Sequence, residues 1–336
     1  MHLSAILSGL LLIAFSAAPA VAADGKTYRV YFLGGQSNME GYGHTAELSP
    51  AWTGEHQAIR IFNGHTAADG EAGGGVGLWA PLRPGYGVGF RSDGRRNWLS
   101  GRFGPELAFG VRIAELHPGE NIALVKYARG GSSLALGASH FGTWAPEFSE
   151  ANGRNQYDNA LTAIETAFST ADIDGDGHAD RLIPAGIIWM QGESDAYTQA
   201  PARAYEQNLR RMMDLLRAAL RVDDLPVVIG RITDSGMDED GLMMDHIALV
   251  QRAQAAYVAA DACAAYVSEI DEYQHPTTAG TMSAPTISAW AVPLPRPCTR
   301  SRGRAADRAA GAEAHSSTKA LSRLSASSHW SETRSR

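Results

Sequence analysis

"TYRVYFLG", residues 27–34, runs without a break into "GQSNMEGYG", residues 35–43. A run rich in β-branched and aromatic side chains, closed by Gly34 and Gly35, has the composition of a buried strand ending in a turn. Four later runs read alike: "NIALVKYA" (121–128), "AGIIWMQ" (185–191), "PVVIGRI" (226–232) and "AAYVSEI" (264–270). Between them "PELAFGVRIAEL", "YDNALTAIETAFS", "PARAYEQNLRRMMDLLRAAL" and "DHIALVQRAQAAYVAA" place apolar residues three and four apart, the period of amphipathic helices. Pro105 and Pro201 suit first helical turns, where the missing N–H loses no bond. Apolar strands alternating with helices predict an α/β fold, a parallel sheet covered on both faces.

The stretch from about 44 to 104 is rich in glycine and aromatics and shows no period. It is expected to leave the sheet as a long excursion, either a binding wall or surface elaboration. Its glycines are not a phosphate loop, since no Gly-Lys-Ser/Thr follows them.

A chain with 44% apolar and 19% charged residues can fill one large α/β core or two small ones. A formal charge of −7, with no basic stripe interleaved with aromatics, argues against nucleic acid as a partner. At the N-terminus, "LSAILSGLLLIAFSAAP" ends at Ala20-Val21-Ala22 and reads as a secretory signal over residues 1–22. The mature chain, expected to start near Ala23, would then be secreted or periplasmic, with no membrane attachment after cleavage. Cys263 and Cys298 could pair in an oxidising compartment, but a lone pair this far along the chain makes no disulfide framework, and the two are expected to be free.

Ser37 lies where the first strand ends, the place where open α/β sheets bind ligands. Alone, a serine in a glycine-rich turn is more often structural, a matter of turn chemistry. Two other strand ends supply matching parts. "KYARGGSSL" (126–134) offers the Gly130-Gly131 turn, whose backbone N–H groups can approach a substrate closely. "IIWMQGESDA" (187–196) ends a buried strand in a polar cluster: Gln191 can donate to an oxyanion, while Glu193 and Asp195 can brace loops or cap the next helix.

In this order and at these intervals, "GGQSNMEGYG", "FGPELAFG", "KYARGGSSL" and "WMQGESDA" resemble the sialate O-acetylesterase-like carbohydrate esterases of the SGNH (GDSL-type) hydrolase superfamily. The resemblance covers roughly residues 27–274. It implies a three-layer α/β/α sandwich with a flavodoxin-like sheet, and a serine esterase that removes acetyl groups from sugars. By motif position Ser37 would be the nucleophile, Gly131 an oxyanion N–H donor and Gln191 the side-chain donor. No cofactor is required for that chemistry, and the partner is an acylated carbohydrate.

The family's closing Asp-x-x-His element is altered here. The chain reads "EIDEYQHP", with Asp271 and His275 four apart. These two stand as the candidate orienter and general base. Beyond about 275 the chain turns to Pro, Arg, Ser and Ala without period. Two readings of residues 276–336 stay open: a disordered basic tail, or a shift of the reading frame, since codons read two bases later permit Asp-Arg-Trp-His at this point. If the base is missing, the alternative function is a catalytically impaired carbohydrate-binding or calcium-stabilised module on the same fold.

"DIDGDGHAD" (172–180) spaces Asp172, Asp174, Asp176 and Asp180 as in a calcium loop, with Gly177 at the sharp turn. Its twelfth position is Ile183 rather than Glu, so a full EF-hand is excluded. A truncated structural calcium site and a solvated acidic turn are the two readings. Arg231 is a candidate substrate contact or ion-pair partner. Trp79, Trp98 and Trp144 are candidates to stack on sugar rings or to pack loops onto the body.

Overall fold

The computed structural model describes residues 25–67, 73–149, 155–234 and 242–268. Its centre is a seven-stranded sheet. The strands are β1 (Thr27–Gly35), β2 (His56–Asn63), β3 (Trp79–Leu82), β4 (Asn121–Ala128), β5 (Arg181–Met190), β6 (Val227–Gly230) and β7 (Ala264–Val267). The order across the sheet is β7-β6-β5-β1-β4-β2-β3, all parallel except β3, which runs antiparallel to β2 at the edge.

Both faces of β1 are buried, as its sequence requires. Tyr28, Val30 and Phe32 point into one core, Tyr31 and Leu33 into the other. Helices α3 (Gln156–Ser169), α4 (Gln199–Leu220) and α5 (Ile247–Ala260) cover the first face, and α2 (Glu106–Leu116) packs on the second. On α3, Ala160, Ala163, Ile164 and Ala167 form the buried stripe, and the Asn155 side chain caps the helix by accepting from the Asp158 N–H. The result is the expected three-layer α/β/α sandwich. Among the described residues no helix is long and apolar enough to cross a membrane.

The excursion is not wholly outside the sheet: β2 and β3 both come from it. β3 carries Pro81, which lacks a donor and is tolerated at the sheet edge. Cys263, expected to be free, is fully buried and disulfide-bonded. The other cysteine, Cys298, lies outside the described residues.

Register places the site. Gly35, the last residue of β1, pairs with Ala128 of β4 on one side and Met190 of β5 on the other. The loops that begin at Gln36, Arg129 and Gln191 therefore leave three adjacent strands at the same level. Gly35 holds φ +148°, and a Cβ there would fall 1.9 Å from the Met190 carbonyl oxygen. Only glycine lets β1 and β5 close so tightly at that point.

Candidate active site

Ser37 opens the one-turn helix α1 (Ser37–Glu40) and is partly exposed. Its first-turn position leaves its backbone N–H without an intrahelical acceptor. A Cβ placed on Gly130 would stand 3.6 Å from the Ser37 Cβ, so the Gly-Gly turn and the serine are neighbours. The two turn amides differ. The Gly130 N–H donates to Glu40 Oε2 at 2.6 Å, whereas the Gly131 N–H has no acceptor among the described residues. Gly131 holds φ +74°, a conformation side chains disfavour, and a Cβ there would strike the Phe141 ring at 2.5 Å.

Gln191 is fully buried beneath this turn. Its Nε2 donates to Asp195 Oδ2 at 2.7 Å and lies 3.2 Å from both Gln36 Oε1 and the Ser132 carbonyl. Two hydrogens facing three acceptors are fully engaged, so in this arrangement Gln191 joins the three loops instead of offering a donor to open space. Its own oxygen and carbonyl accept from the Tyr205 hydroxyl.

The surrounding polar groups are cross-braces between loops. Gln36 Oε1 also faces the N–H groups of Gly192 and Ser194. Ser194 Oγ donates to the Gly131 carbonyl at 2.8 Å. Asp195, fully buried, accepts from the Leu134 and Ala135 N–H groups at 2.9 and 2.8 Å. Asp195 thus braces a neighbouring loop, one of its two sequence readings. Thr198, not Asp195, occupies the N-cap of α4.

Burial raises the carboxyl of Asp195 to about 6, with the Leu134, Gln191 and Ala135 donors opposing it. Glu193 goes further, to about 7, for the same first cause, against the hydrogen bond its Oε1 accepts from Asn38 Nδ2 at 2.7 Å. Glu193 Oε2 and Asn38 Oδ1 are both buried without a hydrogen-bond partner. Glu40 is also pushed up by burial, opposed by the Gly130 N–H.

Beneath α1 lies a buried ion pair. Lys126 Nζ sits 2.7 Å from Glu106 Oε2, both side chains almost wholly out of solvent. The same ammonium donates to the carbonyls of Glu40 and Tyr86 at 2.9 Å. It ties the serine helix, the excursion and α2 together. Lys126 stands inside an apolar strand, and a cation flanked by hydrophobic residues was the available signal for a buried pair.

Other candidates fall elsewhere. Asp271 and His275 lie outside the described residues. Arg231 reaches Gln251 on α5 at 3.1 Å. Trp144 is fully buried, edge-on to Tyr127 and Trp189, and presents no stacking face. Trp79 packs on Phe62 and donates to the Ala167 carbonyl, while Trp98 is flanked by the Arg91 and Arg96 guanidiniums.

At the acidic loop, oxygens of Asp172, Asp174 and Asp176 lie within 4.8 Å of one another. Asp180 does not join them. Its carboxylate accepts from the backbone N–H groups of Lys26 and Ile173. The Lys26 ammonium sits on Asp174 and, at 2.7 Å, on Asp176. Burial would raise Asp174, yet the bonds from Lys26 and Tyr28 outweigh it and hold the carboxyl at about 2. A cation from the chain itself already neutralises part of this cluster.

Comparison with known proteins bears on the whole domain. The structure is similar to that of a protein from Arabidopsis thaliana (TM-score 0.55, 18% identity, covering 78% of this chain and 94% of the other). A carbohydrate acetylesterase from Xanthomonas citri gives a TM-score of 0.49 at 20% identity, over 78% of this chain and 54% of that one. NanS gives 0.49 at 15% identity, over 79% and 94%. A search of curated proteins returns no match. Residues 27–284 match the family described as carbohydrate esterase, sialic acid-specific acetylesterase. That match takes in the strand ends carrying Ser37, Gly131 and Gln191, and the chain belongs to this family of carboxylic ester hydrolases.

Proposed function

We propose that the chain deacetylates carbohydrate through an acyl-enzyme on Ser37. The observation that carries this reading is the convergence of three loops: a partly exposed serine next to a Gly-Gly turn with one amide engaged and the next one free among the described residues. Ser37 Oγ attacks the ester carbonyl carbon and passes its proton to a histidine, for which His275, oriented by Asp271, is the candidate. The carbonyl oxygen becomes an oxyanion held by the N–H groups of Ser37 and Gly131. Collapse breaks the bond to the sugar oxygen, which takes the proton back from the imidazolium. Water, deprotonated by the same histidine, then releases acetate and restores Ser37. Gln191 positions the hole; acting as a third donor would require it to give up one of its present acceptors.

Export fits this reading. A disulfide at Cys263 accords with an oxidising compartment and with the signal-like residues 1–22. Ser37→Ala should abolish hydrolysis of p-nitrophenyl acetate, and a fluorophosphonate probe should label the wild type at Ser37 alone. Undiminished turnover in Ser37→Ala refutes the assignment. Sugar binding without labelling would instead favour a module that has lost its base.

A further inference from the structure

We propose that Phe141 is a substrate-positioning residue, a platform for the ring face of the acyl-bearing sugar. The inference rests on the esterase reading of Ser37 and adds to it the element that holds the alcohol side of the ester.

Phe141 is 52% exposed and so presents ring surface to solvent. It is not on a loose loop tip. Its N–H donates to Ser139 Oγ at 3.0 Å, and its carbonyl accepts from Gln156 Nε2 at 3.1 Å. The Ser139 hydroxyl in turn donates to the Gly131 carbonyl. The backbone is therefore pinned on both sides of the ring and tied directly to the oxyanion turn.

The ring packs against Gly131, so that any side chain there would collide with it, and Gly130 abuts Ser37. An ester whose carbonyl oxygen rests on the Gly131 N–H has its carbonyl carbon at Ser37 and its alcohol portion projecting outward. A ring held on the Gly131 side is placed to meet that portion. The axial C–H face of a pyranose is apolar, and stacking on an aromatic ring buries both faces. Trp144, in the same loop, is wholly enclosed and cannot serve.

The test compares two acetates that share the acyl group, an O-acetylated pyranoside and ethyl acetate, in wild type, Phe141→Ala and Phe141→Tyr. Phe141→Ala should raise KM for the pyranoside roughly 5- to 10-fold, with kcat little changed, and leave kcat/KM for ethyl acetate within about 2-fold. Phe141→Tyr should restore the pyranoside KM. Equal losses on both esters would mean that the ring only shapes Gly131, and no loss on either would mean that it touches nothing; both overturn the proposal. If the wild type hydrolyses neither ester, the esterase reading fails on its own, and the platform is judged by calorimetry. Ser37→Ala should then bind the acetylated pyranoside more tightly than Ser37→Ala/Phe141→Ala does, and equal affinity refutes it.

Discussion

Replacing Asp195 by alanine removes the acceptor that holds three donors: the backbone N–H groups of Leu134 and Ala135, and the Gln191 amide. With Asp195 fully buried, water does not replace it without rearrangement. The Gln191 amide still faces Gln36 Oε1 and the Ser132 carbonyl, so the Leu134 and Ala135 N–H groups are the donors left unpaired, and at ~1–3 kcal/mol each they cost about 4 kcal/mol together at mid-range. Against this stands the relief of a carboxylate held out of water. A rise from 3.8 to about 6 measures that penalty, net of the bonds, at ~3 kcal/mol at neutral pH. The difference leaves Asp195→Ala less stable by about 1 kcal/mol, a fall in Tm of roughly 2–4 °C for a domain of this size. Asp195→Asn behaves differently. An oxygen in the place of Oδ2 keeps the Leu134 and Gln191 bonds, gives up the one to Ala135, and carries no charge to desolvate. With one donor unpaired at ~2 kcal/mol against ~3 kcal/mol of relief, its Tm should lie at or slightly above that of wild type. Thermal melts read through tryptophan fluorescence decide this, since Trp144 and Trp189 stack edge-on at 4.8 Å in the adjoining core. Alanine and asparagine variants that melt together with wild type would show that the carboxylate braces nothing. An asparagine variant as damaged as the alanine one would show that charge, not acceptor geometry, matters.

Two further outcomes follow from the buried charges. Lys126→Met, which strands Glu106 without its ammonium, should destabilise by ~3–5 kcal/mol, and Lys126→Met/Glu106→Gln should regain part of that loss; a single-variant loss under about 1 kcal/mol in urea denaturation contradicts the pairing. The raised carboxyls of Glu193 (about 7) and Asp195 (about 6) bind more protons folded than unfolded. Their contribution to stability is complete below the unfolded values near 4, declines as pH rises through 6 and 7, and amounts to at most ~6 kcal/mol between them. Tm should therefore be higher at pH 5 than at pH 8, with Glu193→Gln narrowing the difference, and a wild-type Tm higher at pH 8 would refute the assignment of these two groups.

The parallel body of the sheet was legible because its strands are short apolar runs bounded by turns. "NIALVKYA" is β4 residue for residue, and β1 extends its predicted span by only Gly35. β2 and β3 escaped for physical reasons. "HQAIRIFN" begins with a half-buried histidine followed by exposed Gln57 and Ala58 and alternates only in part, and "WAPL" carries a proline that speaks against a strand unless the strand lies at an edge. At the site, the serine, the Gly-Gly turn and the Gln-Gly-Glu-Ser-Asp cluster could be picked out because each follows a strand of the same sheet. Their partners could not. Asp195 meets residues 60 and 61 positions away, Gln191 meets Gln36 at a separation of 155, and Lys126 reaches Glu40 at 86. Such pairings depend on strand order, which periodicity does not encode. Phe141 went unremarked because an exposed phenylalanine gains meaning only once Gly131 is seen beneath it. Counting cysteines allowed a disulfide at Cys263 but could not decide for it, since one pair far along the chain forms no recognisable spacing pattern.

The three loops have almost no regular backbone pairing with each other above the sheet, so side-chain acceptors do the joining. Gln36, Glu40 and Asp195 each take backbone N–H groups from another loop, and the Gln191 amide faces Gln36, the Ser132 carbonyl and Asp195. A site assembled this way depends on each loop at once. Loosening the Leu134 loop through Asp195 frees Gln191, and Gln191 in turn holds Gln36, the residue before Ser37. Losses at Gln36, Asp195 and Gln191 should therefore not add, as groups in one hydrogen-bond network couple. Among the described residues the Gly131 amide has no acceptor, and the Ser37 N–H has none within its helix, so the reading proposed for the site gives both the same oxygen to hold.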